Sequence, residues 1–188
     1  YRVVYASGLT FNGVRFNLGS GGVLTIVGVL DIDGDLTIAG SSTSSTSGGT
    51  ITLAGNLTHQ NGGFINNSQL IVDGSTDQSL AFNASYQGDL TINKVAGIAQ
   101  LVTDLVLLGA GHDLRIEAGG FEVGGHSITV GGVFEFSMIS LTLNGNLTIA
   151  DGGRLAMNLG GYGSGEFETL AISGTLTLGT DTQLSLDL

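Results

Sequence analysis

The chain has 188 residues, of which 33 are Gly and none is Pro or Cys. Gly at that level without Pro or a three-residue period excludes collagen, and an apolar fraction of 41% excludes a disordered tail. Five Lys and Arg face sixteen Asp and Glu, a net charge of −11, so no basic patch exists to hold nucleic-acid phosphates, and an anionic membrane would repel the surface.

The length suits one domain with a core of its own. Charged residues make up only 11%, so solubility rests on Ser, Thr, Asn, Gly and sparse carboxylates. Absence of Cys together with abundant Thr, Asn and Gly fits large exported bacterial surface proteins, and the expected location is extracellular or at the cell surface. Gly or a charge interrupts every apolar run, so no membrane insertion is expected. The sequence starts at Tyr1 rather than Met, which suggests a processed product or a fragment.

Short alternating runs mark the strands. Tyr1-Arg2-Val3-Val4-Tyr5 reads as if already inside one. Further strands are expected at 23–26, 29–33, with Leu30 and Ile32 on one face, and 36–38. After a Ser/Thr-rich stretch at 41–47, a candidate insertion, come 50–53 and then a second candidate insertion at 59–63. The middle of the chain offers 70–72, 80–82, 90–92, 101–102, 105–108, 114–116 and 121–123. Then follow 127–130, 133–136, 141–143, 147–149 and 154–157, a third candidate insertion at 160–165, and finally 170–172, 176–178 and 184–186. No segment has helical periodicity of useful length.

One phrase recurs: Gly, a small polar residue, Leu, Thr, then Ile or Leu. It stands at Gly34-Asp35-Leu36-Thr37-Ile38, Gly88-Asp89-Leu90-Thr91-Ile92, Gly145-Asn146-Leu147-Thr148-Ile149 and Gly174-Thr175-Leu176-Thr177-Leu178, and Gly55-Asn56-Leu57-Thr58 is a copy that breaks at His59. Each copy encodes a turn followed by a short strand with two apolar side chains on one face. Such repetition predicts an all-β fold, a right-handed parallel β-helix (β-solenoid) of about eight irregular coils in a single domain spanning 1–188. At roughly 4.8 Å per coil the rod is about 40 Å long. Spacings between the Leu residues of successive phrases and Leu114 are 21, 33, 24 and 33, read as single coils and coils with one loop inserted. The expected inward set is Leu24, Ile26, Leu30, Ile32, Leu36, Ile38, Ile51, Leu53, Leu57, Leu90, Ile92, Leu114, Ile116, Ile128, Val130, Leu141, Leu143, Leu147, Ile149, Leu176 and Leu178.

Residues 78–132 carry a resemblance. An aromatic before Leu90-Thr91-Ile92-Asn93-Lys94, then Gly97, paired strands from Leu105 to Ile116, and Phe121-Glu122-Val123-Gly124-Gly125-His126-Ser127-Ile128-Thr129-Val130-Gly131-Gly132 resemble a repeat of bacterial cell-surface β-helix proteins. These include large adhesins, autotransporter-like passengers and sorted surface proteins. Residues 162–188 resemble a second element of such proteins, in Leu170 to Leu178 and Leu184-Ser185-Leu186. The resemblance covers under half of the chain and implies an architecture, with no catalytic residue to carry over. In such proteins more chain usually follows the second element, so the sequence is expected to be a segment of a longer chain or a fibre subunit.

Candidate chemistry is sparse. Asp31, Asp33 and Asp35 form the one dense carboxylate cluster, and Ca²⁺ is the only cofactor they suggest. The spacing fits neither an EF-hand nor a calcium β-roll and suits a wet strand face with an Asp-Gly turn better. Outward Thr37, Thr52, Thr58, Thr91, Thr129, Thr142, Thr148 and Thr177 would form a hydroxyl ladder if stacked, although β-propensity alone explains them. Among Arg2, Arg15, Lys94, Arg115 and Arg154, only Arg115 has acids nearby, at Asp113 and Glu117, an expected surface ion pair. His59, His112 and His126 show no ligand spacing. No catalytic residue is assigned.

The expected function is a non-enzymatic, extracellular structural or adhesive solenoid of a bacterial surface protein. A self-assembling filament subunit is the first alternative, and a polysaccharide-binding or polysaccharide-cleaving β-helix the second. Expected partners are the chain's own continuation or neighbouring subunits, end to end, with surface glycans as a further class.

Overall fold

The structure is a computed structural model that describes residues 2–6, 8–40, 45–60, 65–137, 140–158 and 167–187. It is all-β: strands and turns but no helix occur among the described residues, and the strands pair in parallel from coil to coil as a β-solenoid. The expected all-β class and parallel β-solenoid are therefore the observed ones.

Its backbone is one long column of stacked strands. The column begins at Thr10–Phe11 and passes to Val29–Ile32, then to residues 50–53 of the strand Ser45–Leu53 and 69–72 of Ile65–Val72. It continues through residues 90–92 of Leu90–Leu101 and 114–116 of Leu114–Glu122 to Val133–Phe136, Arg154–Asn158 and Gln183–Asp187. Outward partners on this column run Thr10, Asp31, Thr52, Ile71, Thr91, Arg115, Glu135, Ala156 and Ser185. Successive partners lie 19 to 24 residues apart until the last step, Ala156 to Ser185, which spans 29 and contains residues 159–166.

Flanking columns close the coil. One side stacks Val14–Phe16, Leu36–Ile38, Leu57–His59 and Gln78–Phe82. Another stacks Arg2–Tyr5, Val23–Val27, residues 45–47 and residues 65–67. Late in the chain Leu105–Leu107, Ser127–Val130, Asn146–Ile149 and Leu176–Leu178 form a separate four-stranded sheet, and Ser140–Leu143 pairs with Thr169–Ile172.

The recurring phrase therefore does not mark one site per coil. Leu36 and Leu57 are partners, but Leu57 stacks next on Leu80, not on Leu90. Leu90 belongs to the long column, between Leu70 and Leu114, and Leu147 lies between Ile128 and Leu176. The apparent 33-residue period compares different sides of the coil. What the phrase encodes is local: a corner followed by a strand, usable on any side. Its Gly is demanded by the close approach of neighbouring coils. A Cβ on Gly34 would sit 1.3 Å from the Asn12 carbonyl oxygen, and one on Gly145 would sit 2.1 Å from that of His126. Its polar second residue staples the next coil. The Asp35 carboxylate accepts from the backbone N–H of Asn56 at 2.8 Å, that of Asp89 from Asp113 at 3.0 Å, and the Asn146 side-chain oxygen from Thr175 at 2.9 Å.

Inside runs a thin apolar axis. Of the inward set expected from alternation, all are buried except Leu176 and Leu178. Those two continue the Leu147 and Ile149 columns, but no described strand stacks beyond them, so they stand 43% and 54% exposed. Two further expectations need correction. Ser45–Ser47 is not inserted loop but strand, in register with Val23–Thr25, while residues 41–44 of that stretch lie outside the described residues. Thr46 occupies the inward position beside Leu24 and is fully buried. In the second candidate insertion His59 is strand and core, whereas 61–63 are outside the described residues, as is all of 160–165.

Candidate functional site

Two members of the Asp cluster, Asp31 and Asp35, hold neighbouring coils. Asp31 points outward on the long column, where it accepts from Thr10 Oγ1 and Thr52 Oγ1, each at 2.7 Å. Those two hydroxyls, Thr10 foremost, hold its carboxyl below the usual range. Asp35 sits at the next corner, bonded to both the backbone and side-chain N–H of Asn56. Asn56 in turn accepts from Ser79 through its amide oxygen, at 2.8 Å from the backbone N–H. Asp31 and Asp35 thus serve as rungs between coils. No group of three or more His, Asp or Glu side chains placed to hold a metal ion occurs among the described residues.

Arg115 makes the surface ion pair, although with one partner changed. Its guanidinium lies 2.6 Å from Asp113, as expected, and 3.4 Å from Glu135 on the next coil, not against Glu117. Asp113 also accepts from the backbone N–H of Val133 at 2.8 Å, so it too bridges coils. The three histidines remain apart: His126 lies 3.6 Å from Asp104, while His59 is enclosed in the axis. The hydroxyl ladder is partial. Thr37 stacks on Thr58, and Thr129, Thr148 and Thr177 stack in register, but Thr142 stacks on Ala171 and Thr91 is buried.

The most chemically distinctive group is one the sequence passes over. Lys94 is 2% exposed. It follows Leu90 and Ile92 at the same parity, so alternation itself aims it inward, and there the strand bulges. Asn93 pairs with Ala118 and Ile98 with Gly120, leaving 94–97 opposite the single residue 119. Gly119 has a φ of +85°, and a Cβ on it would lie 2.5 Å from the Cβ of Lys94, so the next coil has no side chain where the lysine stem passes. Lys94 Nζ donates to the carbonyls of Gly74 and Thr76, each at 2.9 Å, and to Gln78 Oε1. Gln78, itself buried, donates from Nε2 to the carbonyls of Leu53 at 2.9 Å and Gly55 at 2.6 Å. One relay thus ties corners of three successive coils. Burial pushes the Lys94 ammonium below its ordinary pKa, opposed by the charges of Asp77 and Asp73. Burial likewise raises the Asp73 carboxyl, with repulsion from Asp31 next in weight. A desolvated lysine is a nucleophile or base in an enzyme only where a substrate reaches it. This one is sealed, and its three protons are directed at two backbone carbonyls and the Gln78 side-chain oxygen.

A second enclosed polar group is His59. It occupies the inward column between Ile38 and Phe82 and meets Tyr86 edge to face, with ring centroids 6.0 Å apart. Phe82 and Tyr86 pack likewise at 5.6 Å. Burial lowers its pKa; the backbone of Ala84 is close enough to oppose this, yet neither ring nitrogen has a partner in hydrogen-bond geometry among the described residues.

No family model matches the sequence, and neither the curated proteins nor the solved structures searched include a match to it. No helix among the described residues is long and apolar enough to cross a membrane.

Proposed function

We propose that this solenoid is a non-enzymatic structural segment of an extracellular bacterial surface protein, a rod that holds distance or displays other parts. One observation carries the reading: Asp31 and Asp35 of the carboxylate cluster, Asp113, and the buried Lys94 and Gln78 are engaged from coil to coil. Asp31 bonds Thr10 and Thr52, Asp35 bonds Asn56, Asp113 bonds Val133, and Lys94 and Gln78 lock three corners. An active site needs groups held toward a vacant position where a reacting atom sits. These groups are directed at the neighbouring rung, which is what a rod of thin core requires. The extracellular bacterial setting rests on the absence of Cys, the low charge content and the resemblance of 78–132 to surface β-helix repeats.

The test is incubation with a panel of acidic and neutral polysaccharides. The rod reading expects no new reducing ends and no unsaturated products. Turnover that scales with protein and is lost on heating would overturn it and install the polysaccharide-cleaving reading in its place.

A further inference from the structure

We propose that Lys94 and Gln78 are a self-crosslinking pair: Lys94 Nζ displaces ammonia from the Gln78 side-chain amide and leaves an internal isopeptide bond between successive coils. The inference goes beyond the rod reading and does not depend on it.

Both side chains are 2% exposed, and they lie on successive coils, since Leu70 stacks on Leu90 and Gln78 on Ala99. No outside substrate reaches the amine, but a carboxamide is enclosed with it. Two of the three Lys94 N–H bonds go to the carbonyls of Gly74 and Thr76, at 2.9 Å each, and the third goes to Gln78 Oε1. Gln78 Nε2 is held in turn by the carbonyls of Leu53 at 2.9 Å and Gly55 at 2.6 Å. Each group is thus tethered on the side away from the other. The amine and the amide carbon, one bond beyond Oε1, stay together for as long as these coils are folded. Partners held in this way react as though at very high concentration.

Loss of the proton now given to Gln78 makes the amine a nucleophile and leaves its other two bonds in place. The lone pair then takes the direction that proton had, toward the Gln78 amide. Burial favours the neutral amine, opposed by the charges of Asp77 and Asp73, the charged groups that act on Nζ. Nζ adds to the amide carbon, the bond from that carbon to Nε2 breaks, and one amine proton passes to Nε2, which leaves as ammonia. Amine and carboxamide become secondary amide and ammonia, so atoms and electrons balance with no oxidant or reductant. Asp73, whose charge reaches Nζ and whose carboxyl burial raises, can carry the proton.

The product relieves a cost. A buried ammonium is replaced by an uncharged amide, and the ammonia takes up its proton in water. The bonds to Thr76 and Gly55 lie at the partly open edge of the relay, which gives ammonia its way out. Its dilution into solvent makes the step one-way. The bond would tie two coils covalently in a chain that has no Cys to form a disulfide.

The freshly folded chain holds the pair free, as in the structure, and the bond accumulates with time. In the experiment the 188-residue chain is kept warm for several days at neutral and at alkaline pH, then analysed by intact mass and peptide mapping. The expected result is a mass lower by one ammonia. Trypsin should no longer cut after Lys94. A protease that cleaves ahead of Asp should cut at Asp77, Asp89 and Asp104 and release 77–88 and 89–103 as one branched species. The rate should rise about tenfold per pH unit until the Lys94 amine is neutral, then level off. Lys94→Arg keeps the charge and the donors but stays protonated, and it should give no branched species. The parent in strong urea should give none either, because the pair is no longer held. A parent whose mass matches the sequence throughout overturns the proposal. So does ammonia loss with 77–88 and 89–103 released separately, because the loss then comes from another amide, and so does a bond that forms equally fast in urea. None of these results touches the rod reading, which stands or falls on polysaccharide turnover.

Discussion

Replacing Lys94 with Met keeps the length of the stem and removes the donor. Three carbonyl oxygens lose their partner: those of Gly74 and Gln78 within the buried relay and that of Thr76 at its partly open edge. A buried acceptor left without a donor costs about 1–3 kcal/mol. Two such acceptors give about 2–6 kcal/mol, about 4 at the middle of the range, offset by about 2 kcal/mol from no longer desolvating an ammonium whose three bonds replace most of its hydration. A net loss of about 2 kcal/mol is expected. With a urea m-value of about 2 kcal/mol/M, the unfolding midpoint should fall by about 1 M. The pH dependence gives a second readout with a fixed sign. Burial holds the Lys94 pKa below its ordinary value, so between the folded and unfolded pKa values the folded state binds fewer protons than the unfolded one. Stability of the parent should therefore rise with pH toward about 10.4, the unfolded lysine value, and the Met variant should lose that component. A Met variant that unfolds at the parent's midpoint or above it would refute the reasoning. It would mean that the ammonium costs as much to bury as its three bonds return.

Other consequences follow from the axis and its columns. His59→Leu should stabilise by about 1 kcal/mol at neutral pH, since it removes two unpartnered buried nitrogens from a column of Ile and Phe. Burial depresses the His59 pKa, so its neutral form is safe above about 6.5 and stability falls as pH drops below that value; the Leu variant should show a shallower acid loss by thermal melting. Leu147→Asp places a carboxylate in the axis between Ile128 and Leu176, and should lower stability by several kcal/mol in chemical denaturation.

Much of the architecture was legible because alternation is local. Leu30 and Ile32, Leu114 and Ile116, or Leu147 and Ile149 each announce one buried face, and in each case that face lies on the axis. What alternation does not convey is which side of the coil a strand occupies. That depends on the number of residues spent at corners and bulges, such as 94–97, and no residue type signals it. Hence Leu57 and Leu90 look like successive repeats yet belong to different columns. The polar strand at Ser45–Ser47 escaped notice for a related reason. Parallel neighbours on both sides supply its backbone bonds, and Thr46 suffices to fill its inward position. Leu176 and Leu178 carry the inward pattern in full, but burial needs a coil on each side, and they have a described neighbour on only one.

Lys94 and His59 were legible in principle. Each sits at inward parity, after Leu90 and Ile92 in one case and after Leu57 in the other. Ending the expected strand at Ile92 and the repeat at His59 hid that parity. The Asp cluster misled in the opposite sense. Three acids at alternate positions look like ligands, whereas on a solenoid an outward or corner Asp finds its partner about 21 residues away on the next coil, as Asp31 and Asp35 do.

The rod account stands on the continuity of the columns, and engineered disulfides test it directly because the chain has no Cys of its own. Parallel neighbours lie about 4.8 Å apart, within the Cα range that a disulfide spans. Thr58→Cys with Ala81→Cys should cross-link readily under mild oxidation, since the two are register partners. Thr58→Cys with Thr91→Cys, the pair that one phrase per coil would bring together, should remain reduced, because Thr91 stacks between Ile71 and Arg115. A bridge in the second pair and none in the first would contradict the account.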